Sequence, residues 1–128
     1  MRKSDVLVVK RFSFDAAHKL PNYPGPCARL HGHTWFVDVG FSGPVDEKTG
    51  MVIDFRTVSN EVGDLIDRLD HSFLNEVISN PTAENIATML VTWIKQGTSI
   101  ADKLNFIRVW ESPTAYAEIK LEVGYLQP

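Results

Sequence analysis

At 128 residues, with 44% hydrophobic and 23% charged residues, the chain has the size and composition of one soluble globular domain spanning 1–128. A formal net charge of −3 excludes the basic field of a sequence-independent nucleic-acid binder and the cationic surface of an anionic-membrane binder. A single cysteine, Cys27, rules out an intrachain disulfide and fits a reducing cytoplasm.

No apolar run approaches the roughly 20 residues of a membrane span. The apolar residues Val6 to Val9, behind Met1-Arg2-Lys3-Ser4-Asp5, are too few for a signal-peptide core. From Val6 to His18 the chain is β-branched and aromatic, and it alternates from Arg11 onward. On a strand, Phe12, Phe14, Ala16 and His18 share one face. Leu20-Pro21-Asn22-Tyr23-Pro24-Gly25-Pro26 reads as a loop. A second strand runs from His33 to Ser42, with Trp35, Val37, Val39 and Phe41 on one face and Thr34 and Asp38 on the other. Gly43 to Gly50 is a long turn.

Asp54 caps a helix from Phe55 to about Leu69. Its apolar positions, Phe55, Val58, Val62, Leu65, Ile66 and Leu69, follow a helical period and not an alternating one. Glu61, Asp64 and Arg68 fall off that stripe, and Gly63 costs the helix about 1 kcal/mol against alanine. Asn80 or Thr82 caps a second helix, with Pro81 in the first turn, the stripe Ile86, Leu90, Trp93 and Ile94, and Gly97 as its stop. Asn105 to Glu111 and Tyr116 to Val123 form a closing hairpin. The order ββααββ predicts an α+β fold: an antiparallel sheet with two helices on one face.

His31-Gly32-His33 places two imidazoles on one side of a strand, close enough to share a metal. Gly32 clears the space between them, and His18, at the end of the preceding strand, can supply a third ligand. Three histidines with a vacant fourth position are the arrangement of a catalytic zinc. Half-exposed strand histidines without a metal have the same spacing. Cys27 is either an inert core thiol or, beside a dication and Arg29, a thiolate able to act as base or nucleophile. Asp70-His71 ends the first helix. It is either a histidine complementing the helix dipole or an acid–base pair whose carboxylate fixes the imidazole tautomer. Glu111, closing a hydrophobic strand, is a rim charge or an acceptor of paired hydrogen bonds from an amidine-like edge. No phosphate-binding glycine loop or Gly-x-Ser-x-Gly is present.

Taken together, Phe14-Asp15-Ala16-Ala17-His18, Cys27-x-x-x-His31-Gly32-His33, Val52-Ile53-Asp54-Phe55, Leu69-Asp70-His71, Pro81-Thr82-Ala83-Glu84-Asn85 and Trp110-Glu111 resemble the 6-pyruvoyl-tetrahydropterin synthase family, from about Val6 to Val123. The resemblance implies a tunnelling fold, in which three subunits close a β-barrel and two trimers usually stack, with active sites between subunits. It further implies Zn2+ on His18, His31 and His33, catalytic Cys27, Asp70 and His71, and a pterin anchored by Glu111 near Thr82 and Glu84. The gap between Cys27 and His31 is that of the bacterial 6-carboxy-5,6,7,8-tetrahydropterin synthase branch; the biopterin-making branch tends to a longer one. A folate-related branch has a glutamate in this loop, where Pro24-Gly25-Pro26 carries no acid. Ala83 stands where many relatives have a hydroxyl residue.

The implied activity is that of a zinc-dependent lyase on 7,8-dihydroneopterin triphosphate. Its products are 6-carboxytetrahydropterin, acetaldehyde and triphosphate, on the route to 7-deazaguanines such as queuosine. Lys19 and Arg29 are candidates for the triphosphate. Triphosphate elimination by a 6-pyruvoyl-tetrahydropterin synthase is the alternative, and a non-catalytic zinc- or pterin-binding module is a further one. The implied partners are a small-molecule pterin and further copies of the chain, with no nucleic acid and no membrane.

Overall fold

The computed structural model describes residues 4–22, 24–25 and 29–122. Two long strands, β1 (Val6–His18) and β2 (His31–Gly43), pair antiparallel along their whole length, from Val6 opposite Gly43 to His18 opposite His31. Helix α1 (Phe55–Asp67) follows, then a two-residue strand β3 (Ser72–Phe73), helix α2 (Ala83–Gly97), and the hairpin β4 (Leu104–Ser112) and β5 (Ala115–Lys120). The strand order is β3-β1-β2-β4-β5. The expected α+β order is therefore present, with one correction to a wholly antiparallel sheet. β3 pairs with β1 in parallel, Ala16 with Ser72 and Ala17 with Phe73. The last strand ends at Lys120, short of the expected Val123, which itself lies outside the described residues.

Local chemistry accounts for the helix starts. Asp54 accepts from the Arg56 amide at 2.8 Å, and Thr82 accepts from the Asn85 amide at 3.1 Å. Each satisfies an amide that has no partner within its helix. α2 runs through Gly97 and ends at Thr98, whose hydroxyl donates back to the Ile94 carbonyl.

The core lies between one sheet face and the two helices. Phe14, Trp35, Val37, Val39, Phe41, Ile107 and Val109 from the sheet meet Val58, Val62, Leu65, Ile66 and Leu69 and, from α2, Ile86, Leu90 and Ile94. Phe55 departs from its predicted stripe: it is 48% exposed, at the first turn of α1 beside the exposed Met51. On the opposite sheet face the expected polar Asp38 is buried. Arg11 and Trp110 close over it, with Arg11 Nε 2.7 Å and Trp110 Nε1 2.8 Å from its carboxylate oxygens. Burial alone would raise the Asp38 carboxyl pKa, but these donors outweigh it and hold the group below its ordinary value.

Candidate metal centre and active site

The β1–β2 register brings the histidines together. His18 and His31 are direct cross-strand partners, and His33 lies opposite Ala16. Alternation places all three on the face that carries Phe14 and Trp35, at the end of the β1–β2 pair. Ring centroids lie 4.5 Å apart for His18 and His31, 5.5 Å for His18 and His33, and 6.0 Å for His31 and His33. The fully buried Trp35 floors the cluster, 4.5 Å from the His33 ring and 4.8 Å from the His18 ring.

Each imidazole is oriented by a backbone carbonyl. Nδ1 of His18 donates to Pro81 at 2.9 Å, that of His31 to Arg29 at 2.8 Å, and that of His33 to Thr34 at 3.1 Å. A carbonyl oxygen can only accept, so the proton sits on Nδ1 and each Nε2 presents a lone pair. Among the described residues, Nε2 of His18 and Nε2 of His33 are buried without a hydrogen-bond partner. One ring nitrogen from each of the three histidines lies within 4.8 Å of the other two. Burial, together with the neighbouring His31 and His33, pushes His18 below the ordinary histidine pKa, against the opposing pull of the Pro81 carbonyl and Glu111. A neutral His18 with an orphaned lone pair needs a cation or a donor, and this donor set fits a divalent metal such as zinc.

Asp70 and His71 form a separate cluster. The chain leaves α1, turns with His71 at φ 58°, and docks as β3 on β1. His71 Nδ1 lies 3.0 Å from Asp70 Oδ2, and the Asp15 amide donates to Asp70 Oδ1 at 2.9 Å. The Asp15 amide first, and His71 after it, hold the Asp70 carboxyl below its ordinary pKa. The register puts Asp15 and Thr34 on the sheet face opposite the three histidines. A cavity of about 460 Å³ runs past this rim and is lined by Asp15, Thr34, His71 and His33.

Glu111 sits where the β4–β5 pairing slips: Trp110 pairs with Tyr116 and Ser112 with Ala115, leaving Glu111 unmatched between them. Such bulges re-aim a side chain. Glu111 acts electrostatically on His18, and with Glu84, Ala83 and Tyr116 it lines a second cavity of about 280 Å³. Thr82 lies at the same end of α2, where its hydroxyl oxygen serves as the helix cap. Cys27 lies outside the described residues. Lys19 and Arg29 are exposed, and what they contribute to the geometry is main chain: Lys19 exchanges two hydrogen bonds with the Asn75 amide group, and the Arg29 carbonyl orients His31. Asp15, Thr34 and the Pro81 carbonyl also belong to these clusters, and their residue types alone do not single them out. The cross-strand partnership of Asp15 and Thr34 is visible only once the register is known.

The sequence profile of 6-pyruvoyl tetrahydropterin synthase matches residues 7–122. The chain belongs to that family. It is therefore an enzyme of the pterin-processing type. The 6-carboxy-5,6,7,8-tetrahydropterin synthase of Haemophilus influenzae is 34% identical over 137 aligned residues, covering 87% of this chain and 96% of that one. The dihydroneopterin monophosphate aldolase of Pyrococcus furiosus is 36% identical over 106 residues, covering 81% of this chain and 88% of that one. Among solved structures, the Caenorhabditis elegans 6-pyruvoyl tetrahydropterin synthase superposes with a TM-score of 0.86 at 26% identity, over 95% of this chain and 99% of that one. Among the described residues, no helix of this family member is long and apolar enough to cross a membrane.

Proposed function

We propose that the protein is a zinc-dependent lyase that converts 7,8-dihydroneopterin triphosphate and water to 6-carboxy-5,6,7,8-tetrahydropterin, acetaldehyde and triphosphate, in the synthesis of 7-deazaguanines such as queuosine. The observation that carries this reading is the histidine cluster: three Nδ1 protons committed to carbonyls, and two buried Nε2 atoms without partners. The names of the relatives supply the substrate class. His18, His31 and His33 would hold the ion, and bound there zinc supplies Lewis-acid stabilisation of charge on side-chain oxygens.

The chain's own residues do the rest. Glu111 accepts two parallel hydrogen bonds from the amidine edge of the pterin, beside Thr82 and Glu84. That anchor holds the side-chain carbons in reach of the proton-transfer groups. His71, with Nδ1 turned to Asp70, keeps Nε2 to take up and return a proton, and the Cys27 thiolate exchanges a second one. The separation of the Asp70–His71 pair from the histidine cluster within one chain supports an oligomer whose active sites draw on more than one subunit. A trimer, or two stacked trimers closing a barrel in the cytoplasm, is the assembly we infer.

The Pyrococcus relative favours one second reading, an aldolase that cleaves the same side chain of a pterin monophosphate. Product identification separates the readings. With the triphosphate substrate, acetaldehyde and a 6-carboxy pterin are expected. A two-carbon aldehyde that retains phosphate would make the protein an aldolase. A retained pyruvoyl side chain would make it a 6-pyruvoyl synthase, and tight binding without turnover would make it a binding module.

A further inference from the structure

We propose that Asp15 and Thr34 are positioning residues for the Asp70–His71 pair; the inference rests on the reading of that pair as the acid–base group. Asp15 touches both members through its main chain. Its amide donates to Asp70 Oδ1 at 2.9 Å, and its carbonyl accepts from the His71 amide at 2.6 Å. With Oδ1 occupied by Asp15, Asp70 turns Oδ2 to His71 Nδ1. The two bonds fix the carboxylate plane, and with it the imidazole ring. β3 makes this contact possible, because its parallel pairing of Ala16 with Ser72 sets His71 beside Asp15.

The Asp15 side chain is held as well. Its carboxylate accepts from the hydroxyl of Thr34, its cross-strand partner on β2. Ligating atoms of Asp15, Asp70 and His71 all lie within 4.8 Å of one another. Two carboxylates thus stand beside one imidazole. Asp70 fixes the tautomer, while the tethered Asp15 adds fixed negative charge next to a ring that carries positive charge whenever it holds a second proton. The fold has little use for this arrangement. Asp15, Thr34, Asp70 and His71 are all exposed, and a surface hydrogen bond or ion pair of this kind contributes little to stability. Meanwhile His71 keeps a left-handed backbone, φ 58°, that a non-glycine residue adopts at a cost. Strain and orienting bonds gathered at one exposed imidazole are what a working group requires.

The test uses the intact enzyme and three isosteric or near-isosteric changes. Thr34→Val removes the hydroxyl at constant shape, Thr34→Ser keeps it, and Asp15→Asn removes charge while leaving both main-chain bonds. We expect Thr34→Val and Asp15→Asn each to lower kcat about tenfold with KM, metal content and Tm unchanged, and Thr34→Ser to restore kcat. In a His71→Ala background, Thr34→Val should have no further effect, since residues acting as a unit are not additive. Full kcat in both single variants beside an inactive His71→Ala enzyme would overturn the positioning role alone. So would a fall in kcat that merely tracks a fall in Tm. A fully active His71→Ala enzyme would overturn the acid–base reading of the pair and this proposal with it.

Discussion

A histidine binds a metal through the nitrogen that lacks a proton, and here the carbonyls of Pro81, Arg29 and Thr34 decide which nitrogen that is. The clustering of the three histidines was legible in the sequence, because His18 shares a face with Phe14, and His31 and His33 share one with Trp35. The carbonyls that orient the rings were not: Arg29 and Thr34 are near neighbours whose carbonyl directions depend on the local backbone, and Pro81 stands at a helix start 63 residues from His18. Glu111 was legible as a strand-end carboxylate, but its bulge was not. The bulge directs a test of its role. If Glu111 grips the amidine edge of a pterin, Glu111→Gln presents a donor where the ring also donates. Charge-assisted bonds net roughly 1.5–3 kcal/mol each, so affinity should fall by about one to three orders of magnitude. Calorimetry measures the affinity, and metal analysis of the same sample should show zinc content unchanged. Undiminished pterin binding would return Glu111 to the status of a rim charge.

Elements long enough to show a periodic pattern are legible in the sequence, and the shortest strand is not. α1 and α2 announce themselves through stripes that the core buries, and through Asp54 and Thr82 as caps. β3 has two residues, too few to express any alternation, so the parallel contact that brings Asp70–His71 to β1 could not be foreseen. Alternation places Asp38 on the face opposite Trp35, as found, but Arg11 and Trp110 from neighbouring strands decide that it is covered. Gly40 shows the same cross-strand logic. It pairs with Phe106, whose ring lies over it, and a Cβ built on Gly40 would stand 2.2 Å from Phe106 Cε2. Gly40→Ala must displace a buried ring beside the β2–β4 register shift. Overpacking of this kind costs about 1–3 kcal/mol. Urea unfolding of the variant checks this; a midpoint equal to that of the parent would mean the ring moves aside freely.

For the whole molecule, the helices cover one sheet face and leave the other to Arg11, Phe36, Trp110, Arg108 and Tyr116, which stack on one another as cation–π and ring pairs. Such a face supports the proposed closure of several sheets into one barrel. The histidines lie on the opposite face, toward the end of the sheet that also carries Glu111 and, as a separate cluster, Asp70 and His71. The proposed activity stands on the metal. The most direct measurement is zinc add-back to chelated protein, with acetaldehyde formation followed against bound zinc. The account predicts no turnover without metal and a linear rise that levels at about one zinc per chain, three neutral imidazoles making one site. It also predicts that His31→Ala neither retains zinc nor turns over. Full turnover by the metal-free protein, or stoichiometric zinc retained by His31→Ala, would contradict it.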